Sequence, residues 1–379
     1  MSLLTNLTLA VNATMNAVLY NGSIPFQVTV QQVPTPRIQE PTDALVRITK
    51  AALCGSDLHY YRGFRPFDSP SGGIGHEAIG YIAEIGDGVQ SLSVGDYVII
   101  PSATDSGEIE LAPTRQTFFS GLQAEYAVVP VADRNLIPIP INATNSTTER
   151  QLDYLLVSDV WPTSWQALDW SQFQPGDSVA VWGLGPVGLL AVYSAKLRGA
   201  ANIYAIDHVQ SRLDAAEAMG GVIPINFQDE NPVDAILQSD PDGVMRSIDC
   251  VGFEALNDTL ALETTEYFQR LVNSTHLKGG IALAGVWTAA PSGPTNPRGD
   301  LIDPEIAFQY TPFWTKQLHV QAGSVNTIEG AGVLLRLIES GVAHPSRVMR
   351  GVEVPLASAG EYYERFDRWE EIKVYFDTT

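Results

Sequence analysis

Apolar positions fall into two styles along the chain. Between residues 15 and 155 they come in short, often β-branched runs ended by Gly, Pro or Asp. Examples are "DALVRITKAAL" (43–53), "EAIGYIAEIG" (77–86) and "GDYVIIP" (95–101). Runs of this length bounded by turn residues predict strands, and "VGDYV" predicts a tight turn feeding one of them. Helical periodicity is scarce here, so a β-rich, barrel-like domain is expected. From about residue 160 strand and helix patterns alternate. "DSVAVWGLGPVGLLAVYSAKLRGAANIYAID" reads as strand, glycine turn, helix, strand, and "SRLDAAEAMGG" reads as a helix stopped by glycine. "RSIDCVG" and "GGIALAGVW" read as buried strands. Such alternation predicts an α/β, doubly wound parallel sheet. The tail, "EYYERFDRWEEIKVYF", returns to an amphipathic helix and a strand. The expected division is 1–160 plus 323–379 for the β-rich domain and 161–322 for the parallel sheet, with a Pro/Gly-rich loop at 288–304.

Composition narrows the function classes. The 379 residues are 45% hydrophobic, ample for ordinary cores, and carry a net charge of −21. That field repels polyanions and argues against nucleic acid as a partner. No run of about 18 apolar residues occurs, so no membrane span is expected. The opening "MSLLTNLTLAVNATMNAV" lacks a basic leader region and is not read as a signal peptide. Without a secretion signal, the N-x-S/T sequons at Asn6, Asn12, Asn21, Asn142, Asn145, Asn257 and Asn273 are expected to be chance, and the default compartment is cytoplasmic. Two cysteines, Cys54 and Cys250, cannot build a disulfide framework.

"GLGPVG", Gly183–Gly188, fits G-x-G-x-x-G between an apolar strand and a helix. Gly183 permits the tight turn, Gly185 admits a pyrophosphate to the backbone, and Gly188 allows close helix–strand packing. Pro186 and Val187 open the helix, whose N-terminal N–H groups and dipole favour phosphate. Asp207 ends the next strand at about the 20-residue spacing expected of a ribose contact. A carboxylate there accepts from both ribose hydroxyls and repels a 2′-phosphate, favouring NAD over NADP; Arg212 softens that preference.

"CGSDLH" (54–59) and "GGIGHEAIG" bring Cys54, His76 and Glu77, all good zinc ligand types. A lone Cys or His is more often a buried core residue. Together with "GHEAIGYIAEIGDGV", "GDYV", "AEYAVVP" and "GLGPVG", however, the chain resembles the medium-chain dehydrogenase/reductase family, the zinc-dependent alcohol dehydrogenases. The resemblance runs over nearly the whole chain. It implies a GroES-like β-rich catalytic domain interrupted by a Rossmann domain, with the active site between them. It implies Cys54 and His76 as zinc ligands, Glu77 as an alternative ligand, and Asp159 in "VSDVWPTSW" where many members carry a second cysteine. Asp at this point is similar to the formaldehyde and polyol dehydrogenase branch. Ser56 would hydrogen-bond the substrate oxygen, and His59 would pass its proton towards water. Val251, Val286 and Lys373 would meet the cofactor, Lys373 at the pyrophosphate. Homo-oligomers, dimer or tetramer, are implied too.

The chain departs from the family after "GDYV". The stretch "PSATDSGEIELAPTRQTFFSGLQAEYAVV" contains no Cys and no His, which excludes the structural zinc on ligand count. Cys250 is expected to be a buried small hydrophobe. Tyr60, Tyr61, Phe64, Trp161, Trp165 and Trp287 fall where family pockets are lined, pointing to a bulky apolar small-molecule substrate. The expected function is zinc-dependent, NAD-linked alcohol dehydrogenation or carbonyl reduction. The rivals are a C=C reductase, a non-redox isomerase or cyclase on the same fold, and a non-enzymatic dinucleotide sensor.

Overall fold

The strand Ala44–Leu53 is buried at all but one of its positions, because other chain segments cover it on both faces and both edges. It pairs antiparallel with Glu77–Ile85 on one side and with Val374–Asp377 from the far end of the chain on the other. These strands belong to a seven-stranded sheet completed by Tyr97–Ile100, Tyr126–Val129, Ile137–Pro138 and Val352–Pro355. The tail therefore rejoins the first segment, as its helix (Ala359–Asp367) and strand pattern predict. Register decides what gathers at the end of this sheet. Glu77 lies opposite Ala52 and Val374 opposite Leu53, so Cys54, Glu77 and Lys373 converge.

These features come from a computed structural model that describes residues 11–66, 71–104, 117–118, 121–141 and 146–379. Asn6, Asn142, Asn145 and residues 105–116 and 119–120 of the segment expected to lack the structural zinc lie outside the described residues. Among the described residues no helix is long and apolar enough to cross a membrane.

The second sheet is six-stranded and all parallel, in the order Ile223–Asn226, Ile203–Asp207, Val179–Trp182, Val244–Asp249, Thr275–Leu283, His319–Ala322. Helices cover both faces, so the strand Val179–Trp182 is buried throughout. Its side chains alternate: Val179 and Val181 join one apolar cluster, Ala180 and Trp182 another. The first of these clusters also takes in Ala52 and Ile79 of the antiparallel sheet and Trp161 of the helix Val160–Trp170, which welds the two sheets together. Strand order reverses between Val179–Trp182 and Val244–Asp249, so a crevice opens at their carboxyl ends.

Candidate active site

A cleft of about 870 Å³ runs between the two sheets. At its inner end sit Cys54, His76, Glu77 and Asp159, each offering a ligand atom, all within 4.8 Å of one another. Cys54 precedes the helix Gly55–Tyr61, and Asp159 precedes Val160–Trp170. Asp159 Oδ2 lies 3.4 Å from both Cys54 Sγ and His76 Nε2, and its Oδ1 accepts from Ser102 Oγ at 2.8 Å. His76 Nδ1 lies 3.1 Å from Asp57 Oδ1, and Asp57 also accepts from the Cys54 backbone N–H at 3.0 Å. Asp57 thus orients two of the donors, as outer partners of metal sites do.

Electrostatics fit a cation at this point. Burial, reinforced by Asp159, pushes the Cys54 thiol up to about 11. Burial alone would lower His76, but Asp57, Asp159 and Cys54 outweigh it and hold the imidazole well above its ordinary value. Burial would raise Asp159, yet His76 and Ser102 hold it below the usual carboxylate range. Thiolate, imidazole and carboxylate are a zinc donor set, and a bound cation reverses the penalty on the thiolate.

Ser56 and His59 lie three residues apart on one helix face and both line the cleft. Ser56 Oγ is 3.1 Å from His76 Nε2. His59 Nδ1 donates to Glu254, which also receives Arg62; Arg62 Nε in turn reaches Asp367 at 2.6 Å. Glu254 belongs to the parallel-sheet domain. Burial would raise its carboxyl, but His59 and Arg62 win and hold it at about 2.

The cofactor end is built as the glycine pattern predicts. Gly183 has φ +86°, a conformation side chains rarely adopt. A Cβ at Gly185 would meet nothing within 4 Å, which leaves a cradle at the start of the helix Pro186–Leu197. A Cβ at Gly188 would overlap the Gly183 carbonyl oxygen, so this glycine closes the turn from beneath. Asp207 accepts from Leu184 N at 2.6 Å, His208 N at 2.7 Å and Val209 N at 2.9 Å, with Arg212 at 3.6 Å. Pro186, Val187, Arg212, Val251 and Val286 all line the cleft.

Several expectations need correcting. Lys373 is not at the pyrophosphate: it is wholly buried, with Nζ 2.6 and 2.8 Å from the two oxygens of Glu77, because its strand runs beside Leu53. Glu77 is equally buried and lies behind the cleft surface, yet its carboxylate is within 4.8 Å of the Cys54, His76 and Asp159 ligand atoms, where an alternative ligand would sit. Of the six aromatics, Tyr60, Phe64 and Trp287 line the cleft and the others do not. Tyr61 packs on Tyr363, Trp161 is fully buried and donates to Ser194 Oγ at 3.1 Å, and Arg198 covers the Trp165 ring. Cys250 is half-buried: it packs against the apolar cluster that includes Val179 and Val181, as expected of a small hydrophobe, and it also lines the cleft. Sequence reasoning missed Asp57, Ser102 and Glu254. Asp57 sits inside "CGSDLH" and was open to notice; Glu254 carries no local signal.

A GroES-type, mostly antiparallel domain, a doubly wound sheet with a glycine turn, and a Cys/His/Asp donor set between them define a zinc-type, nucleotide-dependent dehydrogenase. Comparisons agree. Residues 40–141 match the alcohol dehydrogenase GroES-like domain, and residues 186–327 match the zinc-binding dehydrogenase family. The zinc-type alcohol dehydrogenase-like protein AdhB of Bacillus subtilis is 31% identical, over 93% of this chain and 97% of its own length. The glutathione-independent formaldehyde dehydrogenase of Pseudomonas aeruginosa is 30% identical, over 73% of this chain and 76% of its own. The alcohol dehydrogenase TADH from Thermus sp. ATN1 superposes with a TM-score of 0.79 at 31% identity, covering 96% of this chain and 99% of that one. The chain belongs to the zinc-type alcohol dehydrogenases of the medium-chain family, oxidoreductases with a catalytic zinc and a nicotinamide cofactor.

Proposed function

We propose that this chain is a zinc-dependent, NAD-linked alcohol dehydrogenase that interconverts an alcohol with its aldehyde or ketone by hydride exchange with nicotinamide. The convergence of Cys54, His76 and Asp159 at the inner end of the nucleotide cleft carries this reading. These three would hold the metal, with Glu77 behind them. When bound, zinc supplies a Lewis acid that makes the alcohol oxygen acidic. The Ser56 hydroxyl, 3.1 Å from His76 Nε2, would hydrogen-bond that oxygen. Glu254, ionised at neutral pH, keeps the His59 proton on Nδ1, so Nε2 is the position that receives a proton leaving the substrate.

The Asp207 carboxylate at the end of its strand supports NAD over NADP. Tyr60, Phe64 and Trp287 support a roomy, largely apolar substrate, larger than ethanol or formaldehyde. With Cys54 and Cys250 the only cysteines, one catalytic zinc and no four-cysteine structural zinc is the reading for this chain.

His76→Ala tests the scheme. Metal analysis should show loss of zinc, an alcohol panel should show loss of turnover, and NADH fluorescence should show retained cofactor binding. Survival of activity would sink the zinc mechanism. Faster turnover of short aliphatic than of aromatic alcohols would sink the substrate assignment.

A further inference from the structure

Acidic side chains outnumber basic ones in this chain by 43 to 22, so a guanidinium without a carboxylate partner is notable. The cleft contains Arg62, Arg65, Arg212, Arg270 and Arg298. Its carboxylates are all committed. Asp57 serves Cys54 and His76, Asp159 belongs to the metal donors, and Asp207 caps backbone N–H groups and meets Arg212. Glu254 and Asp367 hold Arg62. Among the described residues no carboxylate pairs with Arg65 or Arg298.

These two arginines are fixed on the C-terminal end of the helix Gly55–Tyr61, which carries Ser56 and His59 at its start and middle. The Arg298 guanidinium lies 4.6 Å from the Phe64 ring centroid and 5.1 Å from that of Phe26, with Nη1 donating to the Arg62 carbonyl at 3.1 Å. The Arg65 guanidinium lies 5.2 Å from the Tyr60 ring centroid, and its backbone N–H bonds the His59 carbonyl at 3.2 Å. Stacking immobilises a guanidinium while leaving most of its in-plane N–H fork free, the geometry that reads a carboxylate.

We infer that Arg65 and Arg298 recognise an anionic group at the end of the substrate remote from the reacting carbon. This rests on the alcohol dehydrogenase reading above and narrows it. The substrate class is an alcohol, or its carbonyl partner, with an apolar aromatic body and a carboxylate at the far end. The body lies along Tyr60 and Phe64, and the carboxylate takes the two guanidinium forks. The 7-residue helix rises about 10 Å from its Cys54 end to its Arg62 end, and a biphenyl spacer is chosen to match that rise.

The probes are 4′-(hydroxymethyl)biphenyl-4-carboxylate and its carboxamide, which differ only in the charge to be read. The wild-type enzyme should favour the acid in kcat/KM by about ten- to a hundredfold, and the preference should shrink with added salt. Arg298→Leu and Arg65→Gln should each pull the acid-to-amide ratio towards one through KM, with Arg298→Lys intermediate because it keeps charge without the fork. Arg65 makes no side-chain hydrogen bond to the described residues, so its variant guards against a folding defect in the Arg298 variants. Calorimetric binding of unreactive biphenyl-4-carboxylate to the enzyme–NADH complex gives a readout independent of turnover, and both variants should weaken it about tenfold or more.

Equal use of acid and amide by the wild type would overturn the inference and leave the dehydrogenase reading intact. So would variants that raise KM for NAD rather than for the acid, since the arginines would then serve the cofactor phosphates. If neither probe is turned over, absence of biphenyl-4-carboxylate binding overturns the anion site, while absence of activity across all alcohols overturns the dehydrogenase reading.

Discussion

Lys373→Met strips the counter-charge from Glu77 while nearly conserving volume. Both side chains are 0% exposed, and the ammonium contacts both carboxylate oxygens, at 2.6 and 2.8 Å. Breaking a buried pair by removing one partner costs about 3–5 kcal/mol, because the survivor is left in a medium that cannot solvate it. Glu77 has one escape. Burial already holds its carboxyl above the ordinary value, and Lys373 is the main force opposing that rise. Without the ammonium the carboxyl should take up a proton in the folded state.

That proton gives the prediction its signature. The unfolded chain releases it above a pH of about 4.3, whereas the folded variant keeps it. A folded-state pKa above the unfolded one gives stability at low pH that is lost as pH rises. The variant should therefore lose about 1.4 kcal/mol per pH unit through the neutral range, until the folded pKa is reached. Urea unfolding followed by tryptophan fluorescence at pH 6, 7 and 8, with a chelator present so that no metal competes for Glu77, measures this. The wild type should give a shallower slope. Adding Glu77→Gln to Lys373→Met should flatten the profile and recover much of the loss. A Lys373→Met protein within about 1 kcal/mol of wild type, with a parallel pH profile, would refute the reasoning.

Gly185→Ala should unfold like wild type, since its Cβ meets nothing and its φ is −61°, yet raise KM for NAD about tenfold or more by filling the phosphate cradle; Gly188→Ala should cost about 1–3 kcal/mol or more, by overlapping the Gly183 carbonyl. Thermal unfolding and NADH titration of the two variants separate these effects. Glu254→Gln should lose about 2–3 kcal/mol at neutral pH, along with turnover. A depressed carboxylate stabilises above its unfolded pKa, so the gap to wild type should narrow as pH falls below about 4.5 towards 2, and urea midpoints from pH 3 to 7 would show it. Asp207→Asn should move the ratio of kcat/KM for NADP to that for NAD upwards by about tenfold, because it removes the charge facing a 2′-phosphate and frees Arg212; an unchanged ratio would contradict the ribose assignment.

Local chemistry made much of this molecule legible in its sequence. Strands ended by Gly, Pro or Asp were readable because turn residues punctuate them. The Rossmann turn was readable because all three glycines answer to local geometry, a left-handed φ at Gly183, open space at Gly185 and a carbonyl beneath Gly188. What escaped depends on register and on distant contacts. A lysine just before an apolar strand reads as solvent-facing; only the pairing of Val374 with Leu53 seals Lys373 beneath Cys54. An aromatic residue beside a site motif is equally suited to pocket or core, and Tyr61, Trp161 and Trp165 went to the core or its margin. Glu254 meets His59 across 195 residues, a distance over which no sequence pattern speaks.

Glu77 and Glu254 show how environment assigns roles to one residue type. Burial pushes both carboxyls up, so burial does not distinguish them. Their partners do. Glu254 faces a histidine and an arginine and stays an anion across the neutral range, as a fixed acceptor for the His59 Nδ1 proton must. Glu77 has one counter-charge against complete burial, and its carboxyl lies above the ordinary value even with Lys373 in place. Its ionisation is therefore the one most easily shifted by whatever charge arrives next to it, a metal ion included. Two glutamates beside one site are thus pushed in opposite directions: Glu254 is held as an anion by His59 and Arg62, while Glu77, behind the Cys54, His76 and Asp159 donors, is held above its ordinary value by burial.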